Sequence, residues 1–119
     1  MKRLTRKEEE VMKILWTLGK AFVKDIVDCY DEPKPHYNTV SSLVRLLQEK
    51  GVIGYKQYGN TYEYFPLINR EEYRRTFMKE VISDYFDNSY KNAVAFFVKE
   101  KGLTSKELEE LVRMIRNEG

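Results

Sequence analysis

Residues 35 to 66 read PHYNTVSSLVRLLQEKGVIGYKQYGNTYEYFP, and the fold turns on this stretch. Val40, Leu43, Val44 and Leu47 recur at the i, i+3, i+4, i+7 spacing of an amphipathic helix. The other face carries Asn38, Ser41, Ser42, Arg45 and Gln48, short or medium polar groups instead of a Glu/Lys lattice. Gly51 ends the helix, since the residue just past a helix commonly needs a positive φ that glycine adopts without strain. Two runs rich in tyrosine and β-branched residues follow, Val52 to Tyr58 and Thr61 to Phe65. Gly59-Asn60 between them is a short hairpin signal. A helix with a small polar face followed at once by a hairpin is how a winged helix-turn-helix sets a reading helix beside its wing.

Upstream, Thr5 and Glu8 have the spacing of a capping box that opens a first helix. Val11, Ile14, Leu15 and Leu18 form its apolar stripe, and Gly19 ends it. Met12 and Trp16 lie off that stripe, Trp16 as a partly buried packing residue. Ala21 to Tyr30 reads as a shorter helix with Ile26, Val27 and Tyr30 facing inward, and Lys24 near its start within reach of a phosphate. Asp31 to Pro35 holds two prolines, which restrict the residues before them and make a stiff turn. The order helix, helix, turn, helix, hairpin fills residues 5 to 66.

Downstream of Ile68 the texture changes. Asn69 and Glu72 have capping-box spacing and launch a helix with Tyr73, Phe77, Val81 and Tyr85 at every fourth position. Ser89 caps a further helix through Ala93, Val94, Phe96, Phe97 and Val98, which stops at Gly102. Thr104 and Glu107 repeat the box, with Leu103 and Leu108 placed as a hydrophobic staple. The last helix carries Leu108, Leu111, Val112 and Ile115. Three helices in so short a segment supply little core by themselves, and their apolar faces are too large to leave in water. They are expected to pack on the same helices of a second chain. The predicted architecture is mainly α with a small β-hairpin wing: a winged-helix DNA-binding domain over residues 1–67 and a helical dimerisation domain over residues 68–119.

Composition narrows the functional classes. The chain has 119 residues, 42% hydrophobic and 34% charged, the balance of a globular protein with a heavily solvated surface. A formal net charge of +2 means that any surface for nucleic acid comes from local clustering. Cys29 is the only cysteine, so a disulfide framework and a cysteine-ligated metal site are both excluded. No apolar run reaches membrane-span length, and MKRLTRKEEE lacks the apolar core of a signal peptide, which predicts a cytoplasmic setting. His36 and Cys29 have no second ligand or orienting partner in view, so neither catalysis nor a metal or other cofactor is expected.

The residues expected to meet double-stranded DNA follow from the chemistry of each. Asn38 suits bidentate contact with adenine, Arg45 suits guanine or phosphate, and Ser41 and Ser42 let the helix sit deep in a major groove. His36, Tyr37 and Thr39 stand at the start of the same helix, His36 to cap it or to meet phosphate. Lys56, Gln57 and Asn60 sit at or near the wing tip, where a lysine among polar groups suits the phosphate backbone. Tyr55, Tyr62 and Tyr64 are expected to pack on the hairpin.

These residues resemble the penicillinase repressor family, which is related to copper-responsive repressors. NTVSSLVRLLQEKGVI, residues 38 to 53, is similar to the family's reading helix and the turn after it, and TYEYFPLI to its Tyr-x-Tyr-x-Pro after the wing. EEEVMKILWTLGKAFVKDIV resembles the first two helices, including the tryptophan that closes the first. YKNAVAFFVKEKGLTSKELEELVRMI resembles the last two. The resemblance implies a homodimeric repressor on a palindromic operator before a resistance or stress operon. It also implies induction through a membrane-bound sensor protease, with a cut in the penultimate helix, here within Ala93 to Val98 and around Ala95, Phe96 and Phe97. Leu46 stands where the family commonly has an arginine, with Arg45 one place earlier, and the cysteine-rich tail of the copper-responsive branch is absent. The competing reading is a winged-helix module that binds a protein partner through its hairpin and aromatic helices and does not bind DNA.

Overall fold

Helix α1, Arg6–Leu18, starts where Thr5 and Glu8 exchange capping bonds: the Glu8 amide donates to Thr5 Oγ1 at 3.2 Å and the Thr5 amide to Glu8 Oε1 at 2.7 Å. It stops at Gly19, whose φ of 84° suits a residue without a Cβ. The computed structural model describes residues 3–102 and 104–116, apart from the side chains of Lys101, Leu111, Met114 and Ile115. Leu103, in the expected staple, lies outside the described residues.

After α1 come strand β1 (Ala21–Phe22), helices α2 (Val23–Asp28) and α3 (Tyr37–Glu49), and strands β2 (Ile53–Tyr58) and β3 (Thr61–Pro66). Helices α4 (Arg70–Phe86), α5 (Tyr90–Lys101) and α6 (Ser105–Arg116) complete the chain. The strands form an antiparallel sheet in the order β1-β3-β2, with Tyr58 opposite Thr61 and Tyr55 opposite Tyr64. Gly59 has φ 59° and Asn60 is not among the positive-φ residues, the type II′ pattern that matches strand twist. This is the winged-helix order, mainly α with a β wing.

Several local expectations are corrected. Ala21 and Phe22 are not helical: they pair with Tyr64 and Glu63 of β3, so the wing belongs to a three-stranded sheet. Two residues are too few to show strand alternation, and the pairing partner lies far along the chain. Met12, placed off the stripe of α1, is fully buried, while Leu18 is 43% exposed. The buried face of α1 is wider than a single stripe because the helix packs on both α3 and β3.

The chain divides into two compact units, the first ending at Arg70 and the second beginning at Glu71. The core of the first includes Val11, Met12, Leu15, Ile26, Val40, Val44, Leu47 and Ile53. Beside it lies a buried carboxylate. Glu8 is 1% exposed and pairs at 2.6 Å with Lys50 Nζ, which also donates to the Arg3 carbonyl at 3.2 Å. Burial opposes the charge on Glu8, yet the bonds from Lys50 and Thr5 hold its carboxyl below the ordinary range.

In the second unit Ile82 and Ala93 are buried together, with Phe86 and Phe97 packed on them. Ser89 Oγ accepts from the Asn92 amide at 3.1 Å, Gly102 closes α5 at φ 60°, and Thr104 and Glu107 exchange capping bonds. The stripe at every fourth residue of α4 does not stay on one face. Each such step turns about 40° around a helix, so Tyr73 is buried and Tyr85 is 71% exposed, and Ile82 takes the inner position. Among the described residues no helix is long and apolar enough to cross a membrane.

Candidate nucleic-acid interface

Burial of Val40, Val44 and Leu47 turns the opposite face of α3 outward. Tyr37, Asn38, Thr39, Ser42, Arg45 and Gln48 are exposed there, and Ser41 is half-buried. Among the described residues, the side chains of Asn38, Ser42 and Arg45 form no hydrogen bond or ion pair. The first turn of α3 carries no acidic residue, so its positive dipole end is not neutralised. His36 occupies the N-cap position but makes no side-chain capping bond, which corrects that expectation; its carbonyl accepts from the amides of Thr39 and Val40. The preceding turn is held by Lys34, whose ammonium donates to the carbonyls of Asp28 at 2.8 Å and Tyr30 at 2.7 Å. Lys24 is exposed on α2.

The register of the hairpin sorts the wing into two faces, because side chains alternate along a strand. Tyr55, Gln57, Tyr62 and Tyr64 share one face, and Lys56, Tyr58 and Glu63 share the other. Tyr55 and Tyr62 meet edge to face at 5.1 Å, and Tyr64 lies 6.3 Å from Tyr55 and 6.4 Å from Tyr62, so the tyrosines pack on one another as expected. Together with Arg45, Gln48 and Glu49 of α3 they line an open groove of about 430 Å³. Burial, reinforced by the nearby Tyr62 and Tyr37, pushes the Tyr64 phenol above its ordinary value against the opposing pull of Arg45. Tyr64 therefore stays protonated at neutral pH.

The structure thus brings Arg45 and the tyrosines together and places Lys56 apart from them. Lys56 Nζ lies 5.2 Å from the centre of the Tyr58 ring, and Tyr58 lies 5.9 Å from Phe22. Gln57 folds its amide onto the Gly59 carbonyl at 3.0 Å, while Asn60 is exposed at the tip. The tyrosine wall of this groove is the feature that residue-by-residue reading missed. The two-residue turn was the available signal, since it pairs Tyr55 with Tyr64 once Tyr58 faces Thr61.

In the second unit, Phe77 and Val81 of α4 are half-buried, as are Leu108 and Val112 of α6. The side chains of Leu111 and Ile115, in the expected dimer seam, lie outside the described ones. Ala95 and Phe96 are exposed within the intact α5, and Phe97 is half-buried.

The chain is similar to the methicillin resistance regulatory protein MecI of Staphylococcus aureus strain N315 and of Staphylococcus epidermidis. In each case it is 27% identical over 105 residues, covering 87% of this chain and 85% of the relative. The MecI protein of Mammaliicoccus sciuri is 26% identical over the same length. The profile of the penicillinase repressors matches residues 4–117, nearly the whole of both units. The chain belongs to the penicillinase repressor family and is a transcriptional regulator, not an enzyme.

Proposed function

We propose that this repressor binds double-stranded operator DNA as a homodimer, with α3 in the major groove and the wing against the flanking backbone. The observation that carries the reading is the outer face of α3, where Asn38, Ser42 and Arg45 are exposed with no hydrogen-bonding partner among the described residues. A polar face whose donors and acceptors are left open on a rigid helix is what base edges require. Glu49 would repel phosphate, so the contact is confined to the earlier turns of α3. MecI, by its name, regulates methicillin resistance; the same logic assigns this chain to a resistance or stress operon in a cytoplasmic setting.

Arg45→Ala is expected to weaken operator binding by roughly 1–3 kcal/mol without unfolding the first unit, and to relax one operator position if Arg45 reads a base. Titration by gel shift on the DNA upstream of the chain's own gene, at several salt concentrations, tests this. Unchanged binding by a variant carrying both Arg45→Ala and Asn38→Ala would place the interface elsewhere. Binding without salt dependence would favour the protein-interaction module instead.

Lys56 lies on the wing face away from Arg45, where the reading gives it a backbone contact. Lys56→Ala is expected to weaken specific and random DNA alike and to flatten the salt slope by about one unit. An unaltered slope would remove Lys56 from the interface.

Proteolysis by a membrane sensor protease completes the proposal. A cut around Ala95, Phe96 and Phe97 would separate α6 from α4 and leave Phe97, which packs against the buried cluster of Ile82 and Ala93, on a severed helix.

A further inference from the structure

The wing face that shares a groove with α3 holds polar groups that the first unit leaves unused. Tyr55 and Tyr62 are 46% and 39% exposed. They line the groove beside Tyr64, with Arg45 and Gln48 of α3, and Glu49 stands at the same groove one helical turn after Arg45. Among the described residues, the hydroxyls of the three tyrosines make no hydrogen bond, and neither do the side chains of Arg45 and Gln48.

The packing of the rings decides what the groove can hold. Tyr55 and Tyr62 meet edge to face at 5.1 Å with their planes 86° apart, and Tyr64 lies within 6.4 Å of both. Rings engaged with one another are poorly placed to stack on bases, but a packed phenol still offers its hydroxyl at the wet end. Hydroxyl, amide and guanidinium all donate, so the groove suits a group rich in acceptors. The guanidinium selects an anion, and the Glu49 carboxylate keeps that anion at the Arg45 end. On a duplex the phosphodiester is that group, since it lies outside the base stack, is anionic and carries acceptor oxygens. Lys56 and Tyr58 stand on the opposite face of the hairpin and do not line this groove.

We propose that Tyr55 and Tyr62 donate their phenol hydroxyls to one phosphodiester of the operator, beside Arg45. They form an uncharged backbone contact on the wing, separate from that of Lys56. This rests on the DNA-binding reading above. Because a neutral phenol displaces no counterion, the contact adds affinity without adding to the salt dependence.

The experiment uses the full chain, a duplex selected from a random pool by the wild type, and a random duplex of equal length. A variant carrying both Tyr55→Phe and Tyr62→Phe keeps the two rings and removes only the hydroxyls. It should bind both duplexes about tenfold more weakly or worse, as for lost hydrogen bonds to a charged group. Its salt slope should equal that of the wild type, in contrast to Lys56→Ala. Tyr58→Phe, which removes a hydroxyl from the opposite face, should bind as the wild type does. Single phosphates of the selected duplex are then replaced in turn by neutral methylphosphonate. At the contacted phosphate the replacement should weaken the wild type more than the double variant, the non-additivity that marks a direct contact. Circular dichroism checks the fold of the double variant, and the two single variants carry the same test if it is altered.

Unchanged affinity in the Phe variants, with salt-dependent binding by the wild type, would overturn the tyrosine contact and leave the DNA reading standing. A loss confined to the selected duplex would make it a base contact, and a flattened slope would make it an effect on a charged neighbour. Either result overturns the assignment. So would an equal loss in Tyr58→Phe, or additive losses at every phosphate. A wild type whose binding lacks salt dependence would defeat the DNA reading, and the contact with it.

Discussion

Lys50→Ala is expected to destabilise the first unit by about 3 kcal/mol, the lower end for breaking a buried ion pair because the lysine is partly exposed. Glu8 is 1% exposed, and Lys50 Nζ at 2.6 Å is its charge partner. Removing the lysine leaves a carboxylate at the α1 terminus that has lost its water and holds only the Thr5 bonds. The measurement is urea unfolding followed by the fluorescence of Trp16, which lies in the same unit. A loss below about 1 kcal/mol, the worth of an exposed pair, would mean that water reaches Glu8.

The pH dependence provides a second check with a definite sign. The folded carboxyl titrates below its ordinary value near 4.5. The stability it contributes is therefore fully present above that value and is lost as pH falls through the lower folded one. Lys50→Ala removes the hydrogen bond and the positive charge that help to lower the Glu8 carboxyl, so the carboxyl should titrate higher than in the wild type and the penalty of the substitution should shrink on acidification. Glu8→Gln, which keeps an acceptor for the Thr5 amide, should cost less than Lys50→Ala and remove this acid-side dependence.

Val112→Asp is expected to convert the proposed dimer to a monomer and to reduce affinity for a paired operator by about 100-fold or more through loss of avidity. Val112 and Leu108 are half-buried and line an open groove with Arg113 and Arg116, while Ile82 and Ala93 are the buried centre of the second unit. A core of that size is too small to be sustained without further apolar burial, which a second chain would supply. Sedimentation at micromolar concentration and gel shifts on complete and half-sites decide the matter. The paired operator should be an inverted repeat with half-sites roughly 34–36 Å, or a multiple, apart. A monomeric wild type, or an intact dimer in the variant with undiminished binding, would refute the assembly. Circular dichroism of the variant separates dissociation from unfolding of the second unit.

Local chemistry was legible in the residues themselves. Thr5 with Glu8, Ser89, and Thr104 with Glu107 cap helices as their spacing requires, because a cap is completed within one turn of chain. Val40, Val44 and Leu47 set the orientation of α3, and with it the outward face of Asn38, Ser42 and Arg45, since helical period converts spacing directly into direction. Gly59 gave the hairpin and its register for the same reason.

Contacts between distant residues were decided only by the tertiary structure. Ala21 and Phe22 became a strand because β3 offered its edge. Met12 was buried because α1 meets two partners. Glu8 found Lys50 and Trp16 found Ile68 across more than forty residues. No periodicity encodes such pairs. They form when packing of the apolar faces brings the two ends together, and the cost of leaving a buried carboxylate or indole N–H unpaired then selects the partner within reach.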